Sequence, residues 1–304
     1  MIAAGIDLGG TKIEAQLFDA RWQRVASRRV ATPVTYPALV AAIADQVAWV
    51  EAGGGTGIAV GIAAAGLVNP ATGLALTSNL PATGKPFPAD IAAAAGRSVV
   101  YINDCRAQAL SEARFGAGRG FATVLGLNLG TGLAGGVVAD GRLLDSPTGT
   151  GGEFGHFPLS AGPVLAHGLP VLACGCGRMG CTETLIAAPG LARIVAHLTR
   201  REMSPQQIMS LRHSDADVAR CWAVWRELAV DLLLTLCLTL DPGCVVLGGG
   251  LGQADELAEE LAQGLARAQL AGYGIPPIRR AEGGDATGAR GAAYAAWEKE
   301  NGHG

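Results

Sequence analysis

One pattern occurs twice in this chain, more than a hundred residues apart. Gly5-Ile6-Asp7-Leu8-Gly9-Gly10-Thr11 and Gly126-Leu127-Asn128-Leu129-Gly130-Thr131-Gly132 each join a short apolar run to a glycine turn. Ile13-Glu14-Ala15-Gln16-Leu17-Phe18 follows the first turn with the period-two alternation of a half-buried strand, and Val137-Val138 stands where the matching strand should follow the second. Strand, tight turn, strand is therefore written twice. Repetition at that distance points to two related lobes, each presenting a glycine turn.

The rest of the chain alternates between helical and strand periods. Helical spacing runs from about residue 37 to 52, and 58–62 reads as a buried strand. Another strand, 99–102, ends at Asn103-Asp104 and leads into helical spacing through Glu112. A long helix over 218–240 stops at Asp241-Pro242, and a strand at 244–247 runs into Gly248-Gly249-Gly250 ahead of a helix at 255–269. This alternation predicts an α/β fold. The first, smaller lobe is expected to span 1–115 and to be completed by a C-terminal helix at 287–304; the larger lobe spans 116–286. A cleft between two such lobes is the natural binding place.

Composition narrows the function classes. Hydrophobic residues make up 49% of the 304 and charged residues 16%, ample for a packed core. The net charge of -3 offers no basic stripe, so nucleic acid is not an expected partner. The N-terminus carries no basic start or apolar stretch of signal length. Leu232–Leu240, the most lipid-like run, is too short to span a bilayer and reads as buried helix, so no membrane is expected. Seven cysteines, an odd number, fit a reducing cytoplasm better than a disulfide scaffold.

Neither glycine turn is a Walker A loop, and both lead into strands rather than opening a helix as a dinucleotide fingerprint does. Their missing side chains nonetheless let backbone N–H groups ring an anion, and Thr11 and Thr131 add hydroxyl donors. Asp7 is placed to hold magnesium, directly or through water. Ordinary hairpin turns are the alternative for either turn alone; two turns of one form favour phosphate.

Cys174-Gly175-Cys176-Gly177-Arg178-Met179-Gly180-Cys181 is the sharpest local signal. Three thiolates can face one point, and His156 can complete a tetrahedral Cys₃His set. Four protein ligands leave no open position, so such zinc is structural. A redox cysteine pair or free thiols are the alternative. Cys105, Cys221, Cys237 and Cys244 read as core residues, and His167, His197, His213 and His303 carry no partner signature.

Asp104 ends an apolar strand, where catalytic carboxylates are often placed in α/β folds, and can accept the proton of an attacking hydroxyl while Asn103 bonds a neighbouring one. It can equally cap a helix beginning near Arg106. Glu153 and Glu183 flank the cysteine segment; they point at hydroxyls of one bound sugar or are surface acids.

Taken in order, Asp7-Leu8-Gly9-Gly10-Thr11-Lys12, Asn103-Asp104, Leu129-Gly130-Thr131-Gly132, Gly152-Glu153-Phe154-Gly155-His156 and Cys174-Gly175-Cys176 through Cys181-Thr182-Glu183 resemble the ROK family of bacterial sugar kinases and related repressors. The resemblance extends to Ser78–Pro86, which looks like a sugar-site loop, to the insertion containing Gly168-Leu169-Pro170, and to Gly284-Asp285 leading to Arg290-Gly291. It implies a two-lobed actin-like ATPase (ribonuclease H-like) fold and ATP-dependent phosphorylation of the C6 hydroxyl of an N-acetylhexosamine, with N-acetylglucosamine the best match. Glucose or fructose is the alternative acceptor.

By the same resemblance Asp104 is the general base, while Gly66, Asn79, Asn103, Glu153, His156 and Glu183 hold the sugar. The turns at Asp7, Gly9, Gly10, Thr11 and Lys12 and at Gly130, Thr131, Gly132, Gly135 and Gly136 bind phosphates with Mg²⁺, and Gly248, Gly249 and Gly250 lie near adenosine. His156, Cys174, Cys176 and Cys181 bind Zn²⁺, and a homodimer is implied. Two departures stand out. Ala63-Ala64-Ala65 replaces a commoner proline-glycine, which bears on the wall near the sugar's C2 substituent. Arg106 replaces a commoner asparagine, to contact phosphate or face solvent. A sugar-responsive repressor would need a helix-turn-helix module ahead of the first strand, and the chain begins at that strand. A sugar-binding module without catalysis would not need Asp7, Asp104 and both turns.

Overall fold

A computed structural model describes residues 1–284 and 287–301. Asp285 and residues 302–304, His303 among them, lie outside the described residues. The chain divides into two compact units: Met1–Gly120 with Gly136–Gly152 and the described residues from Glu282 on, and Phe121–Gly135 with Glu153–Ala281.

The first unit opens with β1 (Ala3–Leu8), β2 (Lys12–Phe18), β3 (Arg24–Ala31) and α1 (Tyr36–Gly54). It continues through β4 (Ala59–Ala64), the short hairpin β5 (Leu67–Val68) and β6 (Ala75–Leu76), α2 (Phe87–Ala95), β7 (Val100–Asn103) and α3 (Asp104–Phe115). Its sheet runs β3-β2-β1-β4-β7, with β1 antiparallel to β2 and parallel to β4. One face packs against α1 and α2 through Ile6, Leu8, Ile13, Leu39, Ile43, Val47, Ile62, Phe87 and Ile91. Burying each such side chain contributes about 1.5–3 kcal/mol.

Glycine shapes the other face. A Cβ on Gly5 of β1 would collide with the Ala289 carbonyl, and one on Gly61 of β4 with that of Ala292. Both carbonyls belong to the helix over Thr287–Glu300, which therefore lies directly on the sheet. Gly291 of that helix meets the Ala107 carbonyl of α3 in the same way.

Next come β8 (Thr123–Leu129), β9 (Leu133–Ala139), β10 (Arg142–Leu143), α4 (Ala161–Ala166), α5 (Glu183–Ile186), α6 (Ala188–Thr199), α7 (Pro205–Leu211) and α8 (Ala216–Leu240). They are followed by β11 (Cys244–Gly248), α9 (Gly249–Gly252), α10 (Leu257–Ala268), β12 (Ile278–Arg280) and α11 (Thr287–Glu300). The second sheet has the order β10-β9-β8-β11-β12, with β11 parallel to both β8 and β12. The α/β fold expected from the alternating periods is present, with a strand–turn–strand at the start of each sheet: the actin-like ATPase fold. Long α8 buries Trp225, Leu233 and Leu236, but Leu238 is 56% exposed, so the apolar run at 232–240 is amphipathic rather than wholly buried. Among the described residues no helix is long and apolar enough to cross a membrane.

Candidate active site

In the first unit, the turn between β1 and β2 closes through Gly9 N–H to the Lys12 carbonyl at 3.0 Å. It is braced by Thr32, whose hydroxyl donates to the Gly9 carbonyl at 2.7 Å. Gly10 and Thr11 remain exposed. Asp7, half-buried at the end of β1, faces the first turn of α11: a Cβ on Gly288 would lie 3.2 Å from Asp7 Oδ1. The positive end of a helix favours a carboxylate there. Gly10 touches the loop that carries Asn79, since a Cβ on Gly10 would lie 3.2 Å from the Asn79 Cβ. That loop is stapled by Thr77 and Thr83, with Thr77 N–H donating to Thr83 Oγ1 at 2.9 Å and Thr83 Oγ1 to the Thr77 carbonyl at 2.7 Å. Leu80 and Ala82 anchor it in the core and leave Asn79 exposed.

Strand β7 delivers Asn103 and Asp104 to the start of α3. Asn103 is the N-cap: its Oδ1 accepts from the N–H groups of Cys105 at 3.0 Å and Arg106 at 3.2 Å, and its Nδ2 donates to the Gly66 carbonyl at 3.1 Å. The reading of Asp104 as cap of a helix beginning near Arg106 is therefore corrected. The helix begins at Asp104 itself, and Asn103 reaches both orphan donors first. Asp104 is half-buried, and desolvation of its carboxyl raises its pKa above the ordinary value; the Cys105 N–H donating at 2.9 Å opposes that rise. Gly66 has φ +100°, and a Cβ there would strike the Leu76 carbonyl, so only glycine turns the chain from β4 into the β5 hairpin.

Two of the departures find places in this unit. Ala63 and Ala64 are fully buried in β4, Ala63 against Ala107 and Ala292 and Ala64 in the core facing α1 and α2. They are core residues and not a sugar-site wall; only Ala65 lies in the turn beside Gly66. Arg106 is half-buried, and two of its nitrogens are engaged by backbone carbonyls. Its Nη2 donates to the Leu144 carbonyl at 2.6 Å and its Nη1 to the Gly151 carbonyl at 3.5 Å. Gly136 lies in β9 beyond the second turn, where its missing side chain admits the backbone of Arg106.

In the second unit, Gly130 N–H donates to the Gly132 carbonyl at 3.1 Å, closing the turn between β8 and β9. Thr131 and Gly132 are exposed. A Cβ on Gly132 would lie 3.7 Å from Glu183 Oε2. Gly249, at φ +75°, folds the end of β11 onto this turn, and a Cβ there would lie 2.6 Å from the Leu129 carbonyl carbon. Gly248 ends β11, Gly250 is exposed, and Gly135 sits inside β9 packed on the Gly126 carbonyl.

The Cys/His cluster is assembled. The ligand atoms of His156, Cys174, Cys176 and Cys181 all lie within 4.8 Å of one another. His156 Nδ1 stands 3.6 Å from Cys174 Sγ, and Cys176 Sγ stands 3.6 Å from Cys181 Sγ. With Zn–S near 2.3 Å, a tetrahedral site needs ligand atoms about 3.8 Å apart, so the donor set fits zinc. The other ring nitrogen, Nε2, lies 3.5 Å from Glu153 Oε2, and Cys174 Sγ lies 3.3 Å from Glu183 Oε1. Both carboxylates thus border the cluster. Arg178 reaches back to the His156 carbonyl at 2.6 Å, and donation from Arg178 to the Cys176 sulfur lowers that thiol to about 6. Cys221, Cys237 and Cys244 are buried core residues as expected, and Cys105 is half-buried in α3.

Glu112 and Tyr101 went unread in the sequence. Glu112 is buried and accepts from the N–H groups of Ala117 at 3.1 Å, Glu282 at 3.0 Å and Gly283 at 2.8 Å, which pins the approach to α11 onto α3. The Tyr101 hydroxyl is buried with no hydrogen-bond partner among the described residues; burial raises its pKa, as does the nearby charge of Asp104.

The chain is similar to known proteins over nearly its whole length. A similar curated protein is the N-acetylgalactosamine kinase AgaK of Shewanella sp. (strain ANA-3), 37% identical over 95% of this chain and 94% of its own length. Another is the N-acetyl-D-glucosamine kinase of Yersinia enterocolitica, 38% identical over 95% of this chain and 97% of its own. Among solved structures, the ROK hexokinase from Thermus thermophilus superposes with a TM-score of 0.87 at 33% identity, covering 99% of this chain and 100% of that one. The ROK family profile matches residues 3–299, so the chain belongs to the ROK family.

Proposed function

We propose that the chain is an ATP-dependent kinase that phosphorylates the C6 hydroxyl of an N-acetylhexosamine, with N-acetylglucosamine its best acceptor. The observation that carries this reading is the desolvated carboxyl of Asp104 at the start of α3, beside the capping Asn103. Both relatives named above are N-acetylhexosamine kinases by name, and they align over nearly the whole chain.

In this reading Asp104 takes the proton of the C6 hydroxyl as its oxygen attacks the γ-phosphorus. The bond from that phosphorus to the β,γ-bridging oxygen breaks, and ADP leaves. A carboxylate of raised pKa is a better base than an ordinary one, because its charged form is poorly solvated. Gly66, Asn79, Asn103, Glu153, His156 and Glu183 hold the sugar. The turns at Asp7–Lys12 and Gly130–Gly132 bind phosphates through backbone N–H groups, and Gly248–Gly250 lies by the adenosine. Magnesium, held at Asp7 directly or through water, would neutralise phosphate charge. His156, Cys174, Cys176 and Cys181 would hold a structural zinc that orders the segment carrying Glu183. The setting is cytoplasmic and the assembly a homodimer.

The test is an ADP-release assay with N-acetylglucosamine, N-acetylgalactosamine, N-acetylmannosamine, glucose and fructose. At least one acetamido sugar is expected to exceed glucose by tenfold or more in kcat/KM. Preference for glucose, or ADP release independent of sugar, overturns the reading.

A further inference from the structure

Arg106 spends its donors on a loop. Leu144 and Gly151, whose carbonyls it bonds, are the two ends of the segment 144–151. That segment is closed on itself: Gly149 N–H donates to the Ser146 carbonyl at 2.9 Å and Gly151 N–H to Ser146 Oγ at 2.8 Å. Its far side rests on the β5 hairpin. Gly149, at φ +77°, lies so close that a Cβ there would be 2.7 Å from the Val68 carbonyl oxygen and 3.0 Å from Pro70.

These contacts form a circuit within the first unit. Asn103 Nδ2 bonds Gly66 at the foot of the β5 hairpin, the hairpin supports Gly149, and the loop returns through Arg106 to the first turn of α3. Asp104 sits in that turn, between the two residues that close the circuit. The Asp7–Lys12 turn is not part of it.

We propose that Arg106 is a positioning residue, a latch that holds the 144–151 loop between α3 and the β5 hairpin and so fixes the Asn103–Gly66 side of the sugar site. It acts on sugar affinity without touching sugar or phosphate. A half-buried guanidinium, its pKa lowered by desolvation, gives up hydration to make two carbonyl bonds, so loss of either end is felt locally. The inference rests on the sugar-kinase reading for its kinetic arm alone.

The experiment compares Arg106→Ala and Arg106→Lys with wild type by steady-state kinetics and by hydrogen exchange. Arg106→Ala is expected to raise the KM for sugar about tenfold, equivalent to about 1.4 kcal/mol. The KM for ATP and kcat at saturating sugar should stay within about twofold. Lysine can reach one of the two carbonyls, so Arg106→Lys is expected to recover most of the sugar KM. In exchange, the amides of Gly149 and Gly151 should lose protection in Arg106→Ala while those of α3 keep theirs. An unchanged sugar KM, or equal rises in both KM values, overturns the latch. Should Arg106→Ala fail to fold, Arg106→Met, which keeps the length of the side chain and removes both donors, takes its place with the same expected and overturning results. If wild type phosphorylates no sugar, the function proposed above has failed, and the exchange arm still judges the latch by itself.

Discussion

Asn103 caps the helix that Asp104 begins. Its Oδ1 takes the N–H groups of Cys105 and Arg106 while its Nδ2 holds the Gly66 carbonyl, so one side chain fixes both the start of the helix at Asp104 and the turn beside it. Asn103→Ala is expected to cost about 1–2 kcal/mol in urea unfolding, the range for a lost cap, and to raise the sugar KM. Asn103→Asp keeps the cap but turns a donor into an acceptor facing Gly66. It should recover only the capping part of the stability, since a carboxylate oxygen repels the Gly66 carbonyl, and none of the sugar affinity. Recovery of both would make the Gly66 bond irrelevant.

The raised pKa of Asp104 makes a pH-dependent statement about stability. A carboxylate that ionises less readily in the folded protein costs stability once pH passes its ordinary value of 3.8, with the cost growing until the folded value is reached. Asp104→Asn removes that cost and keeps an oxygen for the Cys105 N–H. The variant should therefore melt higher than wild type at pH 7, with the gap closing as pH falls towards 3.8. Equal melting temperatures across the range would show that the carboxyl is not desolvated.

Purified protein should contain one zinc per chain by elemental analysis, and Cys181→Ser, which alters a buried ligand, should contain much less. Chelation should weaken sugar affinity slowly, as the segment bearing Glu183 loosens, and leave ATP affinity less affected. Full activity in zinc-free protein would remove the structural role of the cluster.

Gly249→Ala tests whether the turn between β8 and β9 binds nucleotide as proposed. The position has φ +75°, and a methyl group would press on the Leu129 backbone. Left-handed strain and overpacking together cost about 2–5 kcal/mol. The KM for ATP should rise with little change for sugar. A variant with wild-type stability and ATP affinity would contradict the packing described here.

The legible parts of this protein are local. Alternation in Ile13–Phe18 and the paired glycine turns announce two strand–turn–strand units, because strand period and turn chemistry are written within a few residues. The cysteines are legible because Cys174, Cys176 and Cys181 share a short segment; only His156 had to be brought from outside it. Asn103-Asp104 was ambiguous because two adjacent residues both make good caps, and only coordinates show which oxygen reaches the helix N–H groups. What Arg106 and Glu112 hold was not legible. Their partners lie 38 and 170 residues away along the chain, on loops without a periodic pattern. The same holds for Ala63 and Ala64, whose place in the core follows from α1, α2, α3 and α11 meeting β4 from opposite faces.

The most direct measurement places the phosphate and weighs the base together. Wild type and Asp104→Ala are incubated with ATP and N-acetylglucosamine, and the product is examined by phosphorus and carbon NMR as it forms. The account predicts N-acetylglucosamine 6-phosphate from wild type, and a kcat about 10²–10⁴-fold lower in the folded variant, the usual worth of a general base. Phosphate on another hydroxyl, or a variant turning over within a few fold of wild type, would contradict it.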